Sequence, residues 1–263
     1  VDSSSIDLCV SLFPWAKFKK TNSAVKMHTQ MELTGSIPVF ISITAGCVHD
    51  VNFLDEILFE PGSIYIFDRG YLDFRRLRRI ATFGAYFVIR SKTNTRISVT
   101  EAHPVEESLG LNCDQTVRFS SVQGKRDYPE RLRRISYIDP LTEKKLTFLT
   151  NCFHLPAVVV ADIYRNRWQI ELFFKWIKQN LRIKSFYGNS ENAVRTQIWI
   201  AICVYLMVAC LNKEHRIEGQ LSRILQLLSV NVFEKLPLRE LLMNSAPMKD
   251  SEPNSNQLTF NGC

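Results

Sequence analysis

The sequence predicts an α/β fold: a mixed sheet flanked by helices, with a β-rich insertion before its most aromatic helix and a helical C-terminal part. Three observations carry this. Apolar and polar residues alternate from Val25 to Leu33 and recur in "IPVFISIT", Ile37–Thr44, the pattern of strands with one covered face. The compact run "GSIYIFD", Gly62–Asp68, reads as a strand buried on both faces. From Pro156 onward the apolar spacing turns helical.

Taken in order, Val1–Val10 reads as a strand, followed by the Val25–Leu33 strand, a tight turn at Gly35-Ser36 and the Ile37–Thr44 strand. Asn52–Phe59 reads as a short helix before the buried strand ending at Asp68. "DFRRLRRIATFG", Asp73–Gly84, is a basic helix with Asp73 at its start and Gly84 at its end. Ala85–Ser91 is a further strand. Between Lys92 and Thr150 the apolar stretches shorten, Arg118, Lys125, Arg126, Arg131, Arg133 and Arg134 crowd in, and "LRRISYI" and "KKLTFLT" flank the turn-forming "DPLTE". Helices are expected over Pro156–Leu181, Ser190–Asn212, Gly219–Leu228 and Leu236–Met243, and the polar tail after Ser245 reads as disordered. The expected division is a core at 1–91 and 151–213, an insertion at 92–150, C-terminal helices at 214–245 and a tail at 246–263.

Composition narrows the function classes. The net charge of +7 favours a polyanionic partner. Seven cysteines, an odd count with no C-x-x-C pair, argue against a disulfide framework or a zinc knuckle and suit a reducing cytoplasm. No signal peptide is visible. The most apolar run, Ile198–Leu211, is shorter than the ~18–20 residues of a membrane span and reads as a buried core helix. The chain opens without methionine and inside a predicted strand, which reads as the C-terminal piece of a longer protein.

The stretch "IYRNRWQIELFFKWIKQ", Ile163–Gln179, concentrates aromatic and charged residues. At about 100° per residue, Tyr164, Arg167, Glu171 and Lys178 fall within an arc of about 60°, and Ile170, Phe173, Phe174, Trp176, Ile177 and Leu181 point the other way. A carboxylate between cations suits a metal ion with an extended polyanion. A solvated face with Arg167–Glu171 and Glu171–Lys175 pairs accounts for the same stripe.

Three carboxylates occupy telling places: Asp2 on the first strand, Asp68 at the end of the buried strand and Glu171 on the stripe. A carboxylate at the end of a buried strand is costly unless paired or bound to a cation. Magnesium takes oxygen ligands, and two ions about 3.5–4 Å apart can serve an in-line phosphoryl displacement. Taken singly, Asp2 could cap a turn, Asp68 could pair with Arg69, and Glu171 could pair with Arg167. Their order on a β-β-β-α-β-α-β layout favours a joint site.

With these residues in place, the chain resembles the DDE (Asp-Asp-Glu) domain of insertion-sequence transposases, specifically the IS-four family. The family signature Y-(2)-R-(3)-E-(6)-K is met by Tyr164, Arg167, Glu171 and Lys178. "DRGY", Asp68–Tyr71, looks like its second-aspartate motif, and "VDSSSIDL" like its first, although the family often shows Asp-Ser-Thr where this chain has Asp2-Ser3-Ser4. "VKMH", Val25–His28, and "VHD", Val48–Asp50, also look familial. The resemblance spans nearly all of residues 1–243. It implies a ribonuclease H-like fold, with Asp2, Asp68 and Glu171 as catalytic residues holding two Mg²⁺ ions for which Mn²⁺ can substitute. It also implies cleavage of DNA at the terminal inverted repeats of an element, transfer of the freed 3′-OH to target DNA, no covalent protein–DNA intermediate, and a dimer at synapsis. Its setting would be the bacterial cytoplasm, on the nucleoid when DNA is bound, with no membrane.

Under that resemblance Arg167 and Lys178 would hold DNA phosphates, with Arg69 as a further contact; Tyr164 would hydrogen-bond a phosphate or support the helix, and Lys175 would be a phosphate contact or a surface charge. Trp168 would stack on an unpaired base, although a core position is the plainer expectation. His28 would face the site or be a hydrogen-bonded structural histidine. His49-Asp50 reads as a turn and helix cap. The basic helix carrying Arg75, Arg76, Arg78 and Arg79 would grip DNA or be merely solvated, and the insertion's cations have the better claim. Two alternatives stay open: a metal-dependent nuclease of the same fold that cuts without joining, and a truncated DNA-binding remnant. A structural basic protein is a third.

Overall fold

A computed structural model describes residues 1–16, 18, 22–139, 142–183, 185–215 and 221–231. The chain divides into two compact units, Val1–Cys203 and Val204–Cys263. In the first unit, β1 (Asp2–Leu8), β2 (Ser23–Glu32) and β3 (Ile37–Ala45) form an antiparallel sheet in that order. β4 (Ile64–Phe67), β5 (Tyr86–Arg90), β6 (Ile97–His103), β7 (Leu111–Phe119), β8 (Leu132–Ile138) and β9 (Lys145–Thr150) form a second sheet, ordered β4-β5-β9-β8-β7-β6. Only β4 and β5 run parallel; the other pairs are antiparallel. The strands expected as an insertion therefore extend the same sheet, because β9 pairs directly with β5. The two sheets meet where the Val1 nitrogen donates to the Ile66 carbonyl at 3.0 Å, which aligns the start of β1 with β4.

β4 is buried on both faces, as its unbroken apolar run requires. Tyr65 and Phe67 enter one core with Phe87, Ile89 and Leu149, under Leu77 and Ile80 of α1 (Phe74–Thr82). Ile66 enters the opposite core with Val88, Ile135 and Phe148, under Val160, Ala161 and Tyr164 of α3 (Ala157–Arg165). This mixed sheet with helices on both faces is the ribonuclease H-like architecture that the sequence predicts. The ends of α1 follow local chemistry. Asp73 caps its first turn by accepting from the Arg76 nitrogen at 3.0 Å, and Gly84 follows it at φ 73°, a conformation that favours glycine.

Several boundaries differ from the expectation. The first strand stops at Leu8, and the helix expected at Asn52–Phe59 is a 3₁₀ helix over Asp50–Asp55. A six-residue helix α2 (Val122–Asp127) interrupts the β-rich region. At the β2–β3 turn Ser36, not Gly35, takes the left-handed conformation, with φ 52°.

The expected helix Pro156–Leu181 is two helices, α3 and α4 (Trp168–Asn180). Asn166 and Arg167 break it. The Arg167 nitrogen donates to the Tyr164 carbonyl and the Ile170 nitrogen to the Arg167 carbonyl, both three residues back, so the chain tightens there and then restarts. α5 covers Glu191–His215. It is longer than the Ile198–Leu211 run, because it takes in polar residues at both ends. By length and composition it is long and apolar enough to cross a bilayer. Val194, Ile198, Ala201, Ile202, Tyr205 and Val208 are buried along one stripe of it, while Trp199, Ile200 and Met207 are exposed. In the second unit Val208 and Ile224 of α6 (Leu221–Asn231) form a small apolar cluster with Leu221, Leu225 and Leu228. The helix expected at Leu236–Met243 and the tail after Ser245 lie outside the described residues.

Candidate active site

The predicted carboxylates stand on three separate elements, and two of them share one partner. Asp2 is the first residue of β1, opposite Thr29 of β2. Asp68 follows β4 directly and caps the 3₁₀ turn Arg69–Tyr71, its Oδ1 accepting from the Gly70 nitrogen at 2.9 Å. Glu171 stands in the first turn of α4. The link is Arg167, in the step between α3 and α4. Its Nη1 donates to Asp2 Oδ2 at 2.8 Å and its Nη2 donates to Glu171 Oε1. Among the described residues its buried Nε has no acceptor. The pairing of Arg167 with Glu171 read from sequence is therefore present, and it is shared with Asp2, 165 residues away.

Electrostatics within this group oppose one another. Burial pushes the Asp2 carboxyl above the usual carboxylate range, further than the Ser3 backbone bond and the Arg167 charge pull it down, and the nearby Asp68 charge adds to the rise. Tyr71, on the turn capped by Asp68, is buried; burial and the charges of Asp2, Asp50 and Asp68 all raise its phenol. Burial is the leading cause for both groups, and partly buried acids with shifted values are a mark of functional sites and of structural ion-pair networks alike.

The other predicted contacts separate into three groups. Lys178 reaches β1, its Nζ donating to the Ser5 carbonyl at 2.7 Å, and Lys175 is exposed one turn before it. Arg69 is exposed beside Asp68 without pairing to it. Trp168 is 58% exposed at the start of α4, so the core position expected for it is overturned. Tyr164 is 6% exposed and packs on Phe148, ring centroids 4.5 Å apart. The helix break takes it off the polar stripe and into the core beneath, with the Arg167 guanidinium carbon 5.8 Å from its ring centroid.

Asp50 is the residue that sequence reasoning misread. It does not cap its helix. Its carboxylate accepts from Ser3 Oγ at 2.6 Å and pairs with Lys26 Nζ at 3.0 Å. Burial raises this carboxyl, but Ser3 and Lys26 outweigh burial and hold it below the usual range. His28 is fully buried, bonded through Nε2 to Thr44 Oγ1 at 2.9 Å and stacked on Phe53; burial lowers its basicity beyond what Asp50 restores. It is the structural histidine of the two expectations. The polar layer of Lys26, His28, Asp50 and Ser3 lies directly behind the strand that presents Asp2. The "VHD" and "VKMH" stretches were the available signal, and only the β2 pairing joins them.

The donor set is oxygen only, which suits a hard divalent cation. Among the described residues, no three ligating side chains are gathered around one point. Arg167 occupies the interval between Asp2 and Glu171. The group as it stands offers two carboxylates on one guanidinium, a third carboxylate close by, and lysines along α4.

Comparison with known proteins gives a family and relatives. The family model described as the transposase DDE domain matches residues 1–207. A candidate transposase of Sinorhizobium fredii is 35% identical over 239 residues, 89% of this chain and 66% of that protein. A probable transposase for an insertion sequence element of Geobacillus stearothermophilus is 27% identical over 224 residues, 84% of this chain and 58% of the relative. A candidate insertion-element transposase of Synechocystis is 27% identical over 190 residues, 71% of this chain and 53% of the relative. The chain thus spans about half to two thirds of the length of these curated relatives.

Proposed function

This chain belongs to the transposase DDE-domain family, and on that premise we propose that it is the catalytic core of an insertion-sequence transposase of the IS-four type, acting on DNA. The observation that carries the reading is the Arg167 bridge between Asp2 and Glu171, beside Asp68. In this reading Asp2, Asp68 and Glu171 are the catalytic carboxylates and would hold two Mg²⁺ ions, or Mn²⁺ in their place. The ions would supply activation of the attacking oxygen and stabilisation of the leaving oxygen at phosphorus.

The protein's own residues do the rest. Arg167 neutralises two of the carboxylates, and its planar fork matches a phosphate as well as a carboxylate. Arg167 would exchange its carboxylate partners for the oxygens of a bound DNA phosphate. Lys178, donating to a backbone carbonyl of β1, would orient the next phosphate along α4, and Lys175 would contact the flank. Exposed Trp168 is available for a base face. Tyr164 would set the Arg167 guanidinium from below. Cleavage at terminal inverted repeats, strand transfer to a target and a dimeric synaptic complex complete the proposal.

The test is calorimetric Mn²⁺ binding by this chain, with and without duplex DNA, for wild type, Asp68→Ala and Glu171→Gln, alongside strand transfer by the longer natural protein. The expected result is metal binding that each variant weakens at least tenfold, with loss of strand-transfer product. A wild type that binds no metal even with DNA present would overturn the reading and favour the DNA-binding remnant.

A further inference from the structure

The basic residues of this chain fall into two kinds. On α1, Arg75 pairs with Asp127, Arg76 with Asp55 and Asp73, Arg78 with Glu130, and Arg79 with Asp55. That helix is neutralised from within, and a polyanion would have to displace a carboxylate at every step. Two insertion cations are also committed: Arg133 is buried against Asp114 and Arg126 pairs with Asp127.

A second group is arranged differently. Arg69, Arg90, Lys92, Arg134 and Lys145 line one cleft of about 420 Å³, and Arg69 and Lys92 also line an adjoining depression. Among the described residues no carboxylate lines either one, and none of the five cations is in an ion pair. The remaining lining is rich in hydroxyls, groups that donate readily to phosphate. Three of the cations stand on the rigid sheet. Arg90 ends β5 opposite Phe148 and so belongs to the other face of the sheet, while Arg134 lies on β8 and Lys145 opens β9. Arg134 shares its face of the sheet with core residue Leu132. Lys145 shares the same face with core residue Leu149. Preorganised cations lose little freedom on binding. Arg69, the residue after Asp68, lines the cleft, so the cleft lies next to that carboxylate in the chain.

We infer that this cleft is a DNA phosphate tract, which holds the backbone of the duplex flank entering past Asp68 through Arg90, Lys92, Arg134 and Lys145. This rests on the DNA-acting reading proposed above and adds the surface on which the substrate lies. Concentrated like charge with no internal counter-charge repels itself, and a polyanion that releases its own counterions relieves that repulsion.

The experiment compares duplex binding by the full chain across a salt series for wild type, Lys92→Gln/Lys145→Gln, and Arg75→Gln/Arg78→Gln. Lys92 and Lys145 are exposed and lie outside the core, so the first variant keeps its melting temperature; adding Arg90→Gln gives a third step in charge. Removing two phosphate contacts should lower the slope of log K against log salt by about 1.8 and the affinity at 0.1 M salt by roughly tenfold or more. The helix α1 variant should change the slope by less than about 0.5. An unchanged slope in Lys92→Gln/Lys145→Gln overturns the tract even if the wild type performs strand transfer. A lowered slope in a protein without metal-dependent chemistry leaves the tract standing and removes the transposase reading. Binding lost for a polyglutamate chain but not for duplex would assign the cleft to an acidic protein and overturn the inference.

Discussion

Two arginines, 34 positions apart in sequence, each bind carboxylate, and they are finished to different degrees. Arg133 meets both oxygens of Asp114 with Nε and Nη2, at 2.8 and 2.6 Å, and its Nη1 donates to the Leu155 and Cys152 carbonyls. Both side chains are under a tenth exposed. Arg167 spreads one guanidinium over two carboxylates, leaves its Nε without an acceptor among the described residues, and is 18% exposed. The first is a closed unit that fixes the connection from β9 into α3. The second is an open one, with unspent hydrogen-bonding capacity and partners drawn from distant parts of the chain. Where every donor is satisfied the pair holds structure; where donors are left over, the pair can exchange partners.

The sharpest way to break this comparison is to cut each pair. Arg133→Met leaves Asp114 buried without its counter-charge and should cost about 3–5 kcal/mol in urea unfolding, while the double change with Asp114→Leu should recover most of that loss. A small loss from Arg133→Met would show that the buried pair is not structural. Arg167→Gln should cost only about 1–2 kcal/mol, because Asp2 and Glu171 keep access to water. It should also tighten Mn²⁺ binding several-fold in the absence of DNA, since a competing cation is gone. Weaker Mn²⁺ binding in that variant would mean that Arg167 organises the carboxylates and does not hold their place.

The smallest effect concerns pH. The Asp2 carboxyl has a folded-state value above its unfolded 3.8, so its contribution to stability is full below that value and is lost as pH rises through the raised one. Ionised Asp2 is therefore a cost at neutral pH. Asp2→Asn should raise the melting point at pH 7, by an amount equivalent to about 1 kcal/mol or less, and the gain should vanish toward pH 4. A gain that persists at acid pH would assign the effect to packing.

Much of this was legible beforehand because local pattern and tertiary role agree. The apolar run before Asp68 could only be a strand covered on both faces, and the Arg167–Glu171 spacing could only place the two on adjacent turns. The rest needed contacts between distant segments. Tyr164 was assigned to a polar stripe by extrapolating one helical period through Asn166, yet Asn is a residue that competes for backbone bonds at helix ends, and the break there sends the ring into the core. Arg133 looks like its neighbours Arg131 and Arg134. Strand alternation puts it on the face of Ile135 and Tyr137, a signal that was present but outweighed by counting charges. The role of Asp50 needed the fold, since its partners Ser3 and Lys26 lie on β1 and β2.

The Asn166–Arg167 step also sets how this protein tolerates change in length. α4 restarts after the step, so its rotation about its own axis is counted from there. One residue inserted or deleted would turn α4 by about 100°. Glu171 would then leave the side facing Asp2, and buried Phe173 and Ile177 would turn outward together. Substitutions at the step act on one side chain at a time. A frame-preserving insertion would misalign the core and the carboxylates in a single event, so the spacing between the two helices is a stricter constraint on descent than the identity of the residues that fill it.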